Sequence, residues 1–459
     1  MYKFSKKLKT FSFALMFVGL VGIVWGFMNA PSTIEEAKEI VAKNNSQDGH
    51  GSGHGEAVST HKVVDSHGDD HSSTETVHGD EHSTSHDEHV FHQLQNRPWS
   101  ALYVAIFFFM MLALGTLAFY AIQQVAQAGW SIVLFRVMEG ITAYLPVGAV
   151  ILFVFLALSG MHMNHVFAWM DPELVDPTSP KFDHLLDAKK SYLNVPFFLI
   201  RAAIYIAGWI WYRQYARKRT LSLDNASGGD LKHYKKLVGA SAAFLVFFLI
   251  SESMMSWDWL MSIDHHWFST LYGWYIFAGM IVSGITTIAL ITIYLKSRGY
   301  LEYVNDSHLH DLAKFMFGFS IFWTYLWFSQ FMLIWYANIP EEVTYYVQRF
   351  EEIKVPFFAM VVMNFAFPIL VLMNSDYKRL PWFIVMAGVI VLVGHYIDVY
   401  VLITPGSVGA QWKFLSPEVI GSALFFLGLF ILVVFTALTK APLKVKGNPF
   451  IKESEQFHY

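Results

Sequence analysis

The chain contains no cysteine, and this absence excludes several kinds of redox site. Without thiolates, its residues cannot form disulfides, cysteine-ligated metal sites or iron–sulfur clusters, and they cannot attach a c-type haem covalently. A b-type haem would need histidines on facing helices at matching depth, yet only His395 lies well within a hydrophobic span. We therefore expect no haem, no iron–sulfur cluster and no covalently bound cofactor in this chain.

Charged residues are also scarce: they make up 15% of the 459 residues, against 54% hydrophobic and 17% aromatic residues. Soluble domains rarely have this composition, whereas membrane proteins do because lipid replaces water around their surface. Ten hydrophobic runs reach the roughly 20 residues that a helix needs to cross the hydrocarbon core, and they do not alternate as strands do. The sequence predicts an all-α polytopic membrane protein with ten transmembrane helices. The predicted spans are 11–30, 99–126, 130–160, 194–214, 235–257, 271–296, 313–338, 354–374, 381–403 and 418–439.

Residues 31–98 differ in kind from the rest of the chain. They hold ten of the 20 histidines, thirteen acidic residues and four Lys or Arg. Their apolar surface is too small to offset the entropy of ordering, which predicts a disordered, acidic tether. Weak Zn²⁺ or Cu²⁺ binding by the tract His50–His92 is the alternative, although its irregular spacing argues against a defined metal site. Residues 1–30, in which lysines precede an uncharged run, predict a transmembrane anchor rather than a secretory signal.

The distribution of Lys and Arg predicts how the chain crosses the membrane. Twenty of the 32 fall in segments on one side and ten on the other, while Arg136 and Arg201 lie inside spans. By the positive-inside rule, both termini are cytoplasmic and residues 31–98 face outward. The outer segment Glu341–Ile353 is predicted to form a short interfacial helix. The predicted units are 1–30 (anchor), 31–98 (histidine-rich segment), 99–257 (first four spans), 258–270 (connecting loop), 271–404 (next four spans) and 405–459 (last span and basic tail).

The stretch Trp257–Tyr275, which we call the central connection, joins the two groups of four spans. It contains Asp258 and Asp264, two histidines and several aromatic residues, and it has no Lys or Arg to neutralise the acids. We interpret it as a lid over the outer end of a quinol or proton site. The alternative is an interfacial belt in which tryptophans anchor at the headgroups and the acids are solvated.

Ionisable residues inside spans are costly unless they are paired, so each is a candidate for function. Arg136 with Glu139, and His395 with Asp398, are three residues apart and share a helix face. Structural salt bridges are the alternative for Arg136–Glu139 and for Arg201 with an acid. We expect Arg201, Glu252, His395 and Asp398 to converge in the outer half of the membrane. The proton-path candidates are Glu139, Arg136, Glu252, His395 and Asp398; the quinone-binding or outer-exit candidates are Arg201, His162, His165, Asp171, Asp258 and Asp264.

The aromatic-rich spans suit an apolar slot for a quinone, whose quinol form needs nearby bases to accept two protons on oxidation. No glycine-rich phosphate loop follows a strand, so we expect neither a nucleotide site nor a nucleic-acid partner. Three glycines on one span, Gly273, Gly279 and Gly284, predict close helix packing.

Three motifs resemble a known family. They are WDWLMSIDHHWFSTLYG in the central connection, FMLIWYANIPEE at Phe331–Glu342 and KKSYLNVPFFLIR at Lys189–Arg201. Over residues 99–440 the chain resembles the ActF-type subunits (quinone-binding subunit 2) of bacterial alternative complex III, which belong to the NrfD-like polysulfide-reductase membrane subunits. The resemblance implies two four-helix bundles, formed by helices 2–5 and 6–9, with peripheral first and last helices.

The same resemblance implies a function and partners. Such complexes are quinol:cytochrome c oxidoreductases of the bacterial inner membrane. The implied partners are a paralogous NrfD-like membrane subunit, an iron–sulfur protein and c-type haem subunits, with lipid and a terminal oxidase as further candidates. The chain would contribute to quinol binding or oxidation and to proton transfer or translocation. The alternative is a non-catalytic scaffold or proton-path subunit, with the working quinol site in the paralogous partner. A secondary transporter is disfavoured because no span is clearly broken near its middle.

Overall fold

The computed structural model describes residues 1–47, 79–225 and 231–458. Within these ranges helices are the only regular secondary structure, and ten stretches are long and apolar enough to cross a membrane. The prediction of an all-α polytopic membrane protein is therefore confirmed. The ten stretches are Lys6–Met28, Asp87–Val125, Gly129–Gly160, Val195–Asp224, Lys232–Trp259, Tyr272–Ser297, Asp306–Ala337, Lys354–Leu372, Pro381–Gln411 and Pro417–Leu438.

The α-helices are numbered in chain order. They are α1 (Lys6–Met28), α2 (Ile34–Gln47), α3 (Gly79–Val125), α4 (Phe135–Ile141), α5 (Leu145–Gly160), α6 (His184–Lys189), α7 (Val195–Asp224), α8 (Lys232–Trp259), α9 (Tyr272–Ser297), α10 (Asp306–Ala337), α11 (Pro340–Glu351), α12 (Lys354–Val361), α13 (Phe367–Leu372), α14 (Pro381–Val408), α15 (Pro417–Leu438) and α16 (Ile451–Glu455).

The membrane helices form two bundles of four. In the first bundle α3, α5, α7 and α8 pack as a closed ring, and in the second bundle α9, α10, α12–α13 and α14 pack in the same order. Helix α3 also packs on α9 and α14, so it forms the seam between the bundles. Helices α1 and α15 pack on each other, and α15 rests on α3. This arrangement is the one that the family resemblance implies.

Two glycines bring the backbones of α3 and α9 together at the seam. A Cβ on Gly115 would lie 2.1 Å from the carbonyl oxygen of Met280, and one on Gly284 would lie 2.7 Å from the backbone nitrogen of Thr116. The predicted packing role of Gly284 is confirmed. By contrast, a Cβ on Gly279 would meet side chains at 3.5 Å or more, so that position is less tightly packed.

The histidine-rich segment is helical at both described ends, contrary to the prediction of a disordered tether. Helix α2 packs on α3, and Lys38 Nζ lies 2.6 Å from a carboxylate oxygen of Asp87. Helix α3 begins at Gly79 and continues through Pro98. The contact between the two helices supplies the packing that neither end of the segment has alone. The histidines from 50 to 78 lie outside the described residues.

Two of the predicted spans contain an irregular turn, and one predicted boundary falls inside a helix. A 3-10 turn at Thr142–Tyr144 separates α4 from α5, and a π-helical turn at Val362–Ala366 separates α12 from α13. Pro146 and Pro368 follow these turns, and proline disturbs a helix because it lacks a donor N–H and clashes with the preceding turn. Helix α14 runs past the expected boundary at 404, with Pro405 inside it.

The helix ends define two faces of the molecule. Helix α1 begins and α15 ends at the terminal face, whereas the central connection and α11 lie at the opposite end, the loop face. Helix α11 confirms the short helix expected in Glu341–Ile353, and it buries Tyr345, Tyr346 and Arg349. The assignment of the terminal face to the cytoplasm stays a prediction from the charge distribution.

Candidate functional site

Arg201 and Asp258 form a closed ion pair in the first bundle. The Nε and Nη2 groups of Arg201 donate hydrogen bonds of 2.8 Å to the two carboxylate oxygens of Asp258. Arg201 Nη1 donates to the backbone oxygen of Tyr192 at 3.0 Å, and the Tyr205 hydroxyl donates to Asp258 at 3.1 Å. Both charged side chains are buried. A two-bonded pair of this kind fixes α7 to α8, which favours the structural alternative for Arg201.

Asp264 is paired with a second buried arginine. Arg349 of α11 is 1% exposed, and its Nη2 donates to Asp264 Oδ2 at 3.1 Å. The guanidinium carbon lies 3.3 Å from the centre of the Tyr345 ring, a cation–π contact. Both acids of the central connection are thus neutralised, although the connection has no cation of its own, because their partners come from distant segments.

Asp398 lies inside the second bundle, where neither Lys nor Arg pairs with it in the described part of the chain. The Tyr275 hydroxyl donates a hydrogen bond to its Oδ1, and Trp323 Nε1 donates to its Oδ2 at 3.0 Å. His395, one turn earlier on α14, places Nδ1 3.5 Å from the same Oδ2. We call these four residues the Asp398 cluster. His395 and Asp398 lie together, as their spacing predicts, and Tyr275 and Trp323 are donors that the sequence did not identify.

His395 and Asn364 are fully buried polar residues of the second bundle. Neither ring nitrogen of His395, and neither polar side-chain atom of Asn364, has a hydrogen-bond partner. Asn364 lies in the π-helical turn, and a Cβ on Gly394 would come within 2.2 Å of its Oδ1. Buried polar atoms without partners are rare, and π-helical turns often occur at functional sites. Both features mark this part of the second bundle as the candidate site.

Glu252 is a second buried carboxylate without a cationic partner among the described residues. It lies in α8, is 1% exposed, and its Oε1 has no hydrogen-bond partner. Like Arg201 it belongs to the first bundle, whereas His395 and Asp398 belong to the second. No hydrogen bond or ion pair joins the two groups within the described ranges. The expected convergence of all four residues was therefore wrong, because each bundle closes around its own interior.

A row of aromatic rings connects the loop face to the Asp398 cluster. Trp267 stacks on Tyr345 with 3.8 Å between ring centroids and meets Tyr272 at 5.7 Å. Tyr272 meets Tyr275 at 6.3 Å, and Tyr275 meets Trp323 at 5.8 Å. All five rings are buried. These rings at the end of the central connection lie between the loop face and the Asp398 cluster. Their burial favours interpreting the connection as a lid rather than as an interfacial belt with solvated acids.

Arg136 and Glu139 belong to an ionic network at the terminal face. Arg136 Nη1 donates to Glu139 Oε2 at 2.6 Å and to Thr220 at 3.3 Å. Arg136 also bonds Asp224, and Arg217 bonds the same oxygen of Glu139. Two guanidinium groups therefore face two carboxylates. This arrangement supports a structural salt bridge rather than a proton path through Glu139.

The other outer candidates lie in the loop between α5 and α7. His162 is exposed and has a φ of 59°, the His165 ring lies 4.5 Å from the His92 ring, and Asp171 caps a short turn. None of the three candidates bonds to the central connection in the part of the chain that the structure describes.

Asp183, His265 and His266 form a group at the loop face with the geometry to hold a metal ion. Their ligand atoms lie within 4.8 Å of one another, and His266 hydrogen-bonds to Asp183. Burial, together with the adjacent His266, lowers the pKa of His265 to about 4, so its ring is neutral at pH 7, the form that binds metal. The sequence analysis assigned no metal site here; the signal was the adjacent histidine pair in the central connection.

Two further cavities lie in the part of the chain that the structure describes, and the Asp398 cluster lines neither of them. One of about 500 Å³ at the loop face is lined by Asp264, His265 and Tyr345. Another of about 560 Å³ lies between α3, α9, α14 and α15, and its lining is apolar apart from groups such as the buried Tyr396 hydroxyl. The second cavity has the aromatic walls that suit a quinone.

The sequence did not identify four residues of the site: Arg349, Tyr275, Trp323 and Asn364. Counting only ionisable groups inside spans left out the tyrosine, the tryptophan and the asparagine, and Arg349 lies in a segment outside the spans. A polar amide within an apolar span was the available signal for Asn364. Comparison of the chain with protein-family models and with curated proteins found no match.

Proposed function

We propose that this chain is a proton-handling membrane subunit of a respiratory quinol:cytochrome c oxidoreductase, in which Asp398 takes up and releases the proton. The type of complex rests on the resemblance to alternative complex III. The role within it rests on one contrast among buried carboxylates. Asp258 and Glu139 are each bonded by arginine, whereas Asp398 is held by the neutral donors Tyr275 and Trp323.

This contrast separates Asp398, and likewise Glu252 in the first bundle, from the carboxylates that arginine holds in one charge state. Protonating an arginine-bonded carboxylate would leave a buried guanidinium without its partner, which is costly. Asp398 has no such partner, because both of its hydrogen bonds come from the neutral donors Tyr275 and Trp323. His395 offers two unpartnered ring nitrogens 3.5 Å or more from it, and an internal water molecule can connect such groups. Proton relays in membrane proteins use carboxylates and histidines in this way.

Quinol oxidation in this chain is the second candidate. The apolar cavity next to Tyr396 favours it, since such a slot accommodates a menaquinone ring and tail. However, Arg201 and Asp258, the residues expected to bind the quinone, are hydrogen-bonded to each other. We therefore favour a working quinol site in the paralogous partner subunit. In this proposal the chain spans the bacterial inner membrane with both termini in the cytoplasm and residues 31–98 in the periplasm.

The test is Asp398→Asn in the complete complex, reconstituted in sealed vesicles. Asparagine keeps the size of the side chain and accepts a hydrogen bond from Trp323, but it cannot carry a proton. We expect the complex to assemble and to release fewer protons per electron transferred, with His395→Ala acting in the same direction. Asp187→Asn, the same chemical change at a half-buried residue of the loop face, is the control and should change neither quantity. Unchanged quinol:cytochrome c activity and unchanged proton release in assembled Asp398→Asn would overturn the proposal.

A further inference from the structure

A cavity at the terminal face combines positive charge with apolar walls. It has a volume of about 740 Å³ and lies between α1, α4–α5, α7 and α15. Phe13, Val147 and Leu432 belong to its apolar walls. The cations in its lining are Lys9, Arg136, Arg213, Arg217 and Lys440.

The charges around this cavity do not balance. Arg136 and Arg217 are bonded to Glu139 and Asp224, so they are neutralised. The other three cations, Lys9, Arg213 and Lys440, have no carboxylate within 4.0 Å in the described part of the chain. In addition, Arg213 Nε is buried and has no hydrogen-bond partner. The cavity therefore presents a surplus of positive charge to its occupant.

The position of the surplus cations along the helices indicates the shape of that occupant. Lys9 lies in the first turn of α1, and Lys440 follows the end of α15, so both lie at the end of the membrane-crossing part. Phe13 lies about one turn further along α1, toward the membrane interior. The cavity thus has a cationic mouth and an apolar interior.

We propose that this cavity binds an anionic phospholipid. The phosphate lies among Lys9, Arg213 and Lys440, and an acyl chain follows the apolar wall between α1 and α15. Arginine suits the phosphate because its guanidinium donates several hydrogen bonds, and basic pockets between transmembrane helices are known to bind anionic headgroups. This site is separate from the Asp398 cluster and does not depend on the proposed proton function.

Native mass spectrometry of the complex in detergent, with added phosphatidylglycerol or phosphatidylcholine, tests the proposal. We expect the wild type to retain phosphatidylglycerol more strongly than phosphatidylcholine. The double variant Arg213→Gln with Lys440→Gln should lower the affinity for phosphatidylglycerol by about thirty-fold, since each basic residue near a membrane surface contributes separately. The control is the double variant Lys218→Gln with Lys236→Gln, which removes two positive charges elsewhere on the terminal face. It should keep the wild-type affinity for phosphatidylglycerol.

A further variant separates a lipid from free phosphate. Val147→Trp narrows the apolar wall and leaves the cations in place, so it should weaken binding of phosphatidylglycerol without changing binding of inorganic phosphate. Equal retention of phosphatidylcholine, or unchanged phosphatidylglycerol binding in the double variant, would overturn the proposal. The proposal would also be overturned if inorganic phosphate abolished the binding of phosphatidylglycerol while Val147→Trp left that binding unchanged. The site would then bind phosphate alone.

Discussion

Arg201 and Asp258 join α7 to α8 through two parallel hydrogen bonds of 2.8 Å inside the first bundle. The Asp258 carboxylate is fully buried, and the guanidinium stacks on Tyr192 at 3.9 Å. A pair of this kind stabilises the native packing only while both partners are present, because either charge alone would be buried without compensation.

Breaking this pair should therefore destabilise the protein strongly. We expect Arg201→Gln to lower the free energy of unfolding by about 3–5 kcal/mol, as for other buried ion pairs that lose one partner. Thermal unfolding in detergent measures the effect. Lys190→Gln, which breaks the exposed pair with Asp187, is the control and should cost less than about 1 kcal/mol. Equal effects of the two substitutions would contradict the prediction.

The seam between the bundles gives a second prediction. A methyl group on Gly284 would meet the backbone of α3, so Gly284→Ala must push α3 and α9 apart. We expect a loss of about 1–3 kcal/mol, the usual cost of overpacking. Gly318→Ala adds the same methyl group where nothing lies within 4 Å, and its higher helix propensity should leave stability unchanged or slightly raised. A Gly284→Ala variant as stable as Gly318→Ala would show that the seam can relax.

The donors to Asp398 provide a third prediction. Tyr275→Phe removes one hydrogen bond to the ionised carboxylate, an interaction worth about 1.5–3 kcal/mol for a charged acceptor. We expect slower proton release from reconstituted complexes, followed with a pH-sensitive dye. Tyr325→Phe, on the exposed surface of α10, loses the same hydroxyl and should behave as the wild type. If both variants release protons at the wild-type rate, Tyr275 does not support the function of Asp398.

The lack of cysteine allows a direct test of orientation. A single cysteine introduced as Lys190→Cys lies at the loop face, and one introduced as Lys218→Cys lies toward the terminal face. The charge distribution predicts that an impermeant thiol reagent labels the first variant in intact cells and spares the second until the cells are lysed. The reverse pattern would place the termini outside. A cysteine in the histidine-rich tract, His71→Cys, should be labelled like Lys190→Cys.

The sequence predicted the spans well and the contacts within the site only in part. Span positions follow from runs of apolar residues, and pairs such as His395–Asp398 follow from helix geometry alone. The bond between Arg349 and Asp264 joins residues 85 positions apart, so it depends on how the bundles fold and not on any local pattern. The same reason explains why Arg201 was expected beside Asp398 and instead pairs with an acid of its own bundle.

The central connection has a mechanical consequence for the whole molecule. Its beginning is fixed to the first bundle through Asp258, its middle to α11 through Asp264, and its end to the second bundle through Tyr275. Bonded at three points beside a seam whose backbones are in close contact, the connection ties α8, α11 and α14 together. A substitution that breaks one of these three bonds should therefore weaken the junction between the bundles as well as the element that carries it.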